Sequence, residues 1–436
     1  MKYYCIGIKG TGMSTLAQIL YDLGNEVSGY DDAKGYKFTQ DGLDSRGIKI
    51  YYDHDHDIDK DTIVTYSVAF SMDHPEMKRV KELGLTMKAY GEIMGDVVDM
   101  FSTIGVSGTH GKTTTSSLIK HILEENGGCN YFIGSGDGYA TKDNKYYVVE
   151  SDEFNRHFLH YRPKYSIILS MEEEHMEVYD DINDIRNTFE KFANQTKELV
   201  IANGDNEEIR KINFTTKVKF FGFNDNNDII IKNMILDSDA SHFDIEIDGK
   251  LFGHFDVPLY GKHMVMDACS AIGMCQYLGF SYEAIHHALE NFVNAKRRFE
   301  TTEIGDTIIV DDYAHHPTEI KATLLAARQK YPDRKIVVVF RPNTYSRIKD
   351  FKNEFIDALE VADKVYLTEV QANREKAEDF PGISSKLIID SIADAELVEE
   401  DTISKLDKEK GNIVMFMGCA DNSHLISGFE DILKNS

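Results

Sequence analysis

Gly108, Thr109, His110, Gly111, Lys112, Thr113 and Thr114 form one unbroken run, and residue types in that order are suited to holding phosphate. Glycines let backbone N–H groups turn inward toward oxygen atoms, and the N-terminus of a following helix adds partial positive charge. Lys112 is placed to reach the β- and γ-phosphates of a nucleotide, and the Thr113 hydroxyl to ligate Mg²⁺. The strict G-x-x-x-x-G-K-S/T spacing is not met, because Val106 stands where its first glycine belongs; the shorter G-T-x-G-K-T form remains.

Four other stretches have types and spacing that invite chemistry. Gly7, Gly10 and Gly12, followed by Met13 and Ser14, lie between a strand pattern and a helical one, with acids at Asp31 and Asp32 about 20 residues later; this is a dinucleotide-type turn. Taken alone it is a weak signal, compatible with NAD and hence an NAD-dependent dehydrogenase, with the diphosphate of any nucleotide, or with no ligand at all. Glu150 ends an apolar strand and opens an acidic run to Glu153, and Ser170 to His175 does the same after a second strand. A cation on ATP phosphates needs one or two carboxylates, and Glu150 with His175 supplies a second metal position of the kind two-metal phosphoryl sites use. Asp311, Asp312, Tyr313, His315, His316 and Pro317 form a strand end with paired histidines, which the proline confines to a strand-to-helix turn. The run from Asp53 to Asp57 alternates Asp and His; on a strand the two types would face opposite ways, so it reads as a solvated turn rather than a metal cage.

The elements that position these groups alternate between strand and helix along the whole chain. An apolar run over 100–104 precedes the phosphate loop and helical spacing over 116–123 follows it. Strand patterns recur at 146–150, 165–169, 307–310, 335–340, 364–368 and 412–417, and Asp248–Gly249 marks a β-hairpin turn. The reading is α/β with parallel sheets whose ligands sit at the strand C-termini. Three segments follow: 1–98, 99–296 and a smaller 297–436.

The 436 residues carry 74 acids against 48 Lys and Arg, a formal net charge of −26. Nucleic acid and membrane partners are therefore not expected, since both need a positive surface. A phosphorylated substrate remains compatible if basic groups concentrate locally, at Lys112, Arg297, Arg298, Arg341 and Arg347. No apolar run approaches a membrane span, and the chain enters a strand pattern at Tyr3, so neither membrane insertion nor a signal peptide is expected. The five cysteines form no C-x-x-C pair and read as reduced thiols of a cytoplasmic protein.

Taken together, the glycine turn 7–14, the loop 108–114, Glu150, the Glu174–His175 step, Arg298–Phe299 and the run 311–317 resemble the Mur ligase family over essentially the whole chain. The resemblance is to the branch that adds L-alanine to UDP-N-acetylmuramate. It implies a three-domain α/β ligase: a Rossmann-like N-terminal domain for the UDP-sugar (1–98), a central P-loop ATPase-type parallel-sheet domain for ATP (99–296), and a Rossmann-like C-terminal domain for the amino acid (297–436). It also implies an acyl-phosphate route, a place in peptidoglycan and cell-wall synthesis, hence in cell shape and division, and a monomer or homodimer. Residue by residue, it assigns Gly10, Gly12, Met13, Ser14 and His110 to the UDP-sugar. Gly108, Thr109, His110, Gly111, Lys112, Thr113, Thr114, Asp267, Arg298 and Asp312 would bind ATP. Thr113, Glu150 and His175 would hold Mg²⁺. Tyr313, His315 and Arg347 would line the alanine site, and Lys112, His315 and Arg347 would serve catalysis.

Four positions depart from the family's pattern. Ser170 stands for an Asn in the metal segment, Asp267 for an adenine-pairing Asn, Asn343 for a His, and Ala420 for a Gly. A carboxylate cannot donate to adenine N7, which predicts an affinity loss of about 1–3 kcal/mol; an alanine at a positive φ would be strained. These departures favour one alternative, a degenerate paralogue that binds UDP-sugar or nucleotide without turnover; a ligase of the same fold with another amino-acid or peptide acceptor is a second, set apart by its acceptor pocket.

Overall fold

The alternating strand and helix patterns resolve, in the computed structural model, into three sheets of five, ten and six strands. The structure describes residues 1–134, 136–176, 178–372 and 375–435. The chain divides into two units. One comprises Met1–Lys232, Asp244–Phe255 and Met266–Phe292; the other comprises Asn233–Phe243, Asp256–Val265 and Val293–Ser436. Among the described residues no helix is long and apolar enough to cross a membrane.

The five-stranded sheet is parallel. Lys2–Ile6 is its centre, flanked by Glu26–Tyr30 and Thr62–Tyr66, with Lys49–Tyr51 and Thr86–Ala89 at the edges. Ile6 lies opposite both Tyr30 and Tyr66, so the turns leaving these strands share one edge. In the ten-stranded sheet, Ser102–Ser107 runs between Tyr146–Glu150 and Tyr165–Ile168. Val106 pairs with Glu150 and Ser107 with Ile168, and this register delivers the phosphate loop, the run after Glu150 and the run after Leu169 to one place. In the six-stranded sheet, Ile413–Met417 lies between Thr307–Asp312 and Ile336–Phe340, and Met417 is level with both Asp312 and Phe340. Every residue of Ile336–Phe340 is buried, as expected for a β-branched strand covered on both faces. Ligand sites of such sheets lie beyond the strand C-termini, and the flush registers prepare that edge in all three.

The Asp53–Asp57 run is a loop, with its acids exposed, but the solvated-turn expectation fails for His56. That ring stacks on Tyr51 with centroids 3.6 Å apart, and Tyr4 Oη lies 2.8 Å from its Nε2. Burial lowers its pKa, with help from the Arg79 charge. His54 Nδ1 sits 2.6 Å from a carboxylate oxygen of Glu76, which is fully buried on the helix Pro75–Glu82 and also accepts from Tyr4 (2.7 Å) and Arg79 (2.8 Å). The physical reason is that a buried carboxylate must be satisfied from all sides, and the loop supplies one of the donors. Replacing Glu76 by Ala removes the buried carboxylate that Tyr4, Arg79 and His54 share. It is expected to destabilise the first sheet by about 3 kcal/mol, read as a lower urea midpoint in hydrogen exchange of the Lys2–Ile6 amides.

Candidate active site

The phosphate loop is shaped by its glycines and clamped by Ser170. Gly111 is left-handed at φ 85°, and a Cβ built there would lie 2.5 Å from Asp267 Oδ1. Only glycine combines that backbone with that approach. His110 donates its N–H to Ser170 Oγ (2.8 Å), the Ser170 hydroxyl donates back to the His110 carbonyl (3.2 Å), and the Thr109 N–H donates to the Ser170 carbonyl (3.1 Å). The Glu172 N–H donates to Thr109 Oγ1 (3.1 Å), and His110 Nε2 is 3.5 Å from Glu172. The helix Lys112–Glu125 starts directly behind, with Thr113 on its first turn and Thr114 buried.

Lys112 does not point into open solvent. Its ammonium donates to the carbonyls of Gly108 and Thr109 and to both oxygens of Glu153, at 3.1 and 3.0 Å. Burial would discharge it, but Glu153, Asp152 and Glu174 outweigh that and raise its pKa, so the ammonium stays charged. Burial pushes Glu153 up to about 7 against the pull of Lys112, with Asp152 and Glu174 adding to the rise. Glu153 is held by its own backbone. Asn155 and Arg156, just after it, are both left-handed at φ 51° and 57°. Arg156 is fastened to Asp184 by two hydrogen bonds (3.0 and 2.7 Å) and to Thr188 (2.7 Å), while the Tyr179 hydroxyl donates to the Glu153 carbonyl.

Of the groups expected to hold a metal, Thr113 is on the first turn of the helix after the loop, Glu150 is the last residue of the strand Tyr146–Glu150, and His175 follows the strand Tyr165–Ile168. Glu150 is buried, with Oε2 turned toward Gly134. The donors that cluster around His175, however, are Glu153 and Glu174: one ligand atom from each of the three lies within 4.8 Å of the others. Glu153 is the residue that sequence reasoning passed over. Its signal was present as an acid three positions past Glu150, but nothing in the spacing pairs it with Lys112 across 41 residues.

On the first sheet, Gly10 caps the helix Thr11–Asp22 and Gly12 lies in its first turn, while the side chains of Met13 and Ser14 are buried. The Ser14 hydroxyl donates to the Thr39 carbonyl (2.8 Å) and the Ser14 N–H to the Gly10 carbonyl (2.8 Å), so Ser14 holds the turn together. The acid at the end of the second strand, Asp31, accepts the N–H groups of Lys9 and Ala33, both at 2.9 Å, and serves the turn rather than a dinucleotide ribose.

The second unit gathers Arg298, Asp312, Tyr313, His315 and Arg347. Asp312 is buried and accepts the N–H groups of Phe299 (2.8 Å) and Ala314 (2.9 Å). Burial raises its pKa in spite of the nearby Arg298 charge. Arg298 lies over the Tyr313 ring, 4.9 Å from its centroid, and His315 meets that ring edge-on at 5.4 Å. His315 Nδ1 lies 3.2 Å from Glu319, whose carboxylate also receives the His315 N–H. Arg347 donates to Asn343 Oδ1 (3.1 Å), so the Asn that replaces a His still orients this guanidinium. Arg297, expected among the basic groups for a phosphorylated substrate, binds the carbonyls of Gly418 (2.6 Å) and Ala420 (2.8 Å) and pairs with Asp311, so it holds the 418–421 turn. Arg341 is buried and also serves this turn, donating to the Asp421 carbonyl. The strain expected at Ala420 is absent: the left-handed position of this turn is Gly418, at φ 148°.

Three family models match consecutive stretches: the Mur ligase family catalytic domain over residues 2–102, the Mur ligase middle domain over 106–275, and the Mur ligase glutamate ligase domain over 297–420. Among solved structures, the UDP-N-acetylmuramate-alanine ligase MurC of Thermotoga maritima aligns with 26% identity and a TM-score of 0.80, covering 100% of this chain and 99% of that one. A murein peptide ligase of Psychrobacter arcticus aligns over 100% of this chain and 99% of its own, with 21% identity and a TM-score of 0.69. The MurF ligase of Thermotoga maritima in complex with ADP shares the fold at 17% identity and a TM-score of 0.66, over 94% of this chain and 95% of that one.

Gly111→Ala forces a methyl group against Asp267 on a left-handed backbone. Its expected result is a loss of nucleotide affinity of about tenfold or more, read by equilibrium titration with a fluorescent ATP analogue, with the chain still folded by circular dichroism.

Proposed function

The chain belongs to the Mur ligase family of ATP-dependent ligases, and on that premise we propose that it joins L-alanine to UDP-N-acetylmuramate. The observation that carries this choice of substrates is the end-to-end alignment with the alanine-adding ligase of Thermotoga maritima. On this reading residues 1–98 bind the UDP-sugar, 99–296 bind ATP and 297–436 bind the amino acid. We place the reaction in the cytoplasm, the compartment that five free cysteines suit.

The chemistry joins two poor partners, a carboxylate and a polyanionic triphosphate. The γ-phosphoryl group of ATP passes to a muramoyl carboxylate oxygen, giving an acyl phosphate and ADP. The alanine amine attacks the acyl carbon, a tetrahedral intermediate forms, and it expels phosphate to leave an amide. Lys112 and the N-terminus of the helix Lys112–Glu125 meet the charge on the transferring group, while the Thr109 and His110 N–H groups go to Ser170 and hold the loop's shape. Gly10 and Gly12 would meet the UDP diphosphate through their backbone at the first glycine turn, the side-chain space at Gly12 being taken by Tyr90. Arg298 and the turn pinned by Asp312 bind the adenosine, Asp267 accepts from the adenine amino group, and Arg347 takes the alanine carboxylate beside Tyr313 and His315.

A hydroxyl, a buried carboxylate and an imidazole make a donor set that fits a divalent cation. Thr113, Glu150 and His175 would hold Mg²⁺, which supplies neutralising charge to the phosphates when bound.

A second reading, with a peptide as acceptor, draws on the full-length likeness to a murein peptide ligase. Phosphate release from ATP separates the two readings. Release is expected to require both UDP-N-acetylmuramate and L-alanine, and to fall by about a thousandfold or more in Lys112→Ala. Release driven by a peptide and not by alanine would move the chain to the second reading; silence with every acceptor would mark a binding protein. Arg347→Ala is expected to raise KM for the amino acid about 10- to 100-fold while KM for ATP stays within about twofold, measured in the same assay.

A further inference from the structure

We propose that Lys9 is a positioning residue for the diphosphate of the UDP-sugar: its buried ammonium laces residues 33–39 to the first glycine turn and brings there a positive charge that bound diphosphate compensates. The inference deepens the assignment of residues 1–98 to the UDP-sugar and rests on it.

The first observation is a buried charge that lacks a counter-charge. Lys9 is 1% exposed. Its ammonium donates to the carbonyls of Ala33 (2.8 Å) and Gly35 (2.5 Å), with the Tyr52 hydroxyl 3.5 Å away. Among the described residues no carboxylate comes within 4.0 Å of it, although the chain carries 74 acids. Lys112, by contrast, meets Glu153. The acid beside the turn, Asp31, is committed elsewhere. It accepts the N–H groups of Lys9 and Ala33, both at 2.9 Å, and lies 4.0 Å from the Lys37 ammonium. A buried ammonium with neutral acceptors alone is costly to keep, and an anion bound at the turn offsets that cost.

The second observation is where the backbone donors of the turn go. The N–H groups of Gly7 and Ile8 donate to the Tyr30 carbonyl (2.8 and 3.1 Å), that of Lys9 to Asp31, and that of Gly10 to the Gly7 carbonyl (3.0 Å). Those four donors are spent inside the protein, which leaves the start of the helix Thr11–Asp22 to face a ligand. A helix N-terminus offers only partial charge, whereas a diphosphate carries full negative charge on each phosphate. The balance has to come from side chains. Residues 33–39 contain Lys34 and Lys37 and no acid. Lys9 ties this segment down through its ammonium, and its carbonyl accepts from the Thr39 hydroxyl (2.7 Å), while the Thr39 carbonyl accepts from Ser14 (2.8 Å). Enclosed as it is, Lys9 acts on the diphosphate through the low dielectric of the protein rather than by contact.

The test is binding of UDP and of uridine to the full chain, by NMR titration of the ligand signals. Wild type is compared with Lys9→Gln, which keeps a donor for the two carbonyls without the charge, and with Lys9→Met, an apolar side chain of similar length that is easily buried. Both variants are expected to weaken UDP about tenfold or more while uridine changes by less than about threefold. Lys9→Arg, which keeps the charge, should bring UDP back toward the wild-type affinity. Affinity for a fluorescent ATP analogue checks that each variant is folded. UDP affinity equal to wild type in both uncharged variants would overturn the proposal. Equal losses for UDP and uridine would overturn it as well, by marking Lys9 as structural only. If wild type itself binds neither UDP nor uridine, the assignment of residues 1–98 falls first and the proposal with it.

Discussion

Burying the Lys112 ammonium in its own loop obliges the fold to bring an anion to it, and much of the first unit follows from that obligation. An unpaired buried ion costs several kcal/mol, and the loop's carbonyls alone do not offset it. The anion is Glu153, delivered by the strand that runs alongside the phosphate-loop strand. Getting its carboxylate onto Lys112 takes two successive residues in left-handed conformations, each a cost of order 1–3 kcal/mol. Such a turn persists only where its surroundings over-determine it, and Arg156, Asp184, Thr188 and Tyr179 do so. Residues distant in sequence from the loop thus belong to the machinery that holds its lysine ready.

A second theme is how the fold uses acids at strand ends. In a parallel sheet such acids invite a reading as ligands, and several are instead staples. Asp31 holds two N–H groups of the first glycine turn, Asp205 those of Phe223 and Asn224, and Asp312 those of Phe299 and Ala314. Each carboxylate is thereby satisfied by backbone donors, which is a strong arrangement, and each fixes a turn at the edge where ligands bind. Their part in function is to keep other groups in place.

Three of the four departures from the family pattern are absorbed locally. Ser170 clamps the phosphate loop through its hydroxyl and its carbonyl. Asn343 accepts from Arg347. Ala420 lies outside the left-handed region, which falls on Gly418, where a Cβ would come within 2.7 Å of the Arg341 carbonyl. Asp267 is different in kind: its carboxylate lies against Gly111 at the start of the helix behind the loop, where the helix dipole favours negative charge. That accounts for its tolerance there, and leaves its effect on adenine to the base itself.

The strands, the phosphate loop and the order of the family's motifs could be read from the chain alone, because each is local: apolar runs, glycines at turns and Lys next to Thr within a few residues. The α/β class followed from the same alternation. Pairings across the chain were beyond such reading. Nothing in the sequence separates Glu153, which meets Lys112, from the exposed Asp152 beside it; the choice depends on the twist of one strained turn. Nor does spacing tell that His56 is tucked against Tyr51 while Asp53, Asp55 and Asp57 face water. Burial, charge compensation and hydrogen-bond satisfaction are properties of neighbours in space. Where those neighbours come from different strands, only the tertiary structure decides which polar residue is a ligand and which is a staple.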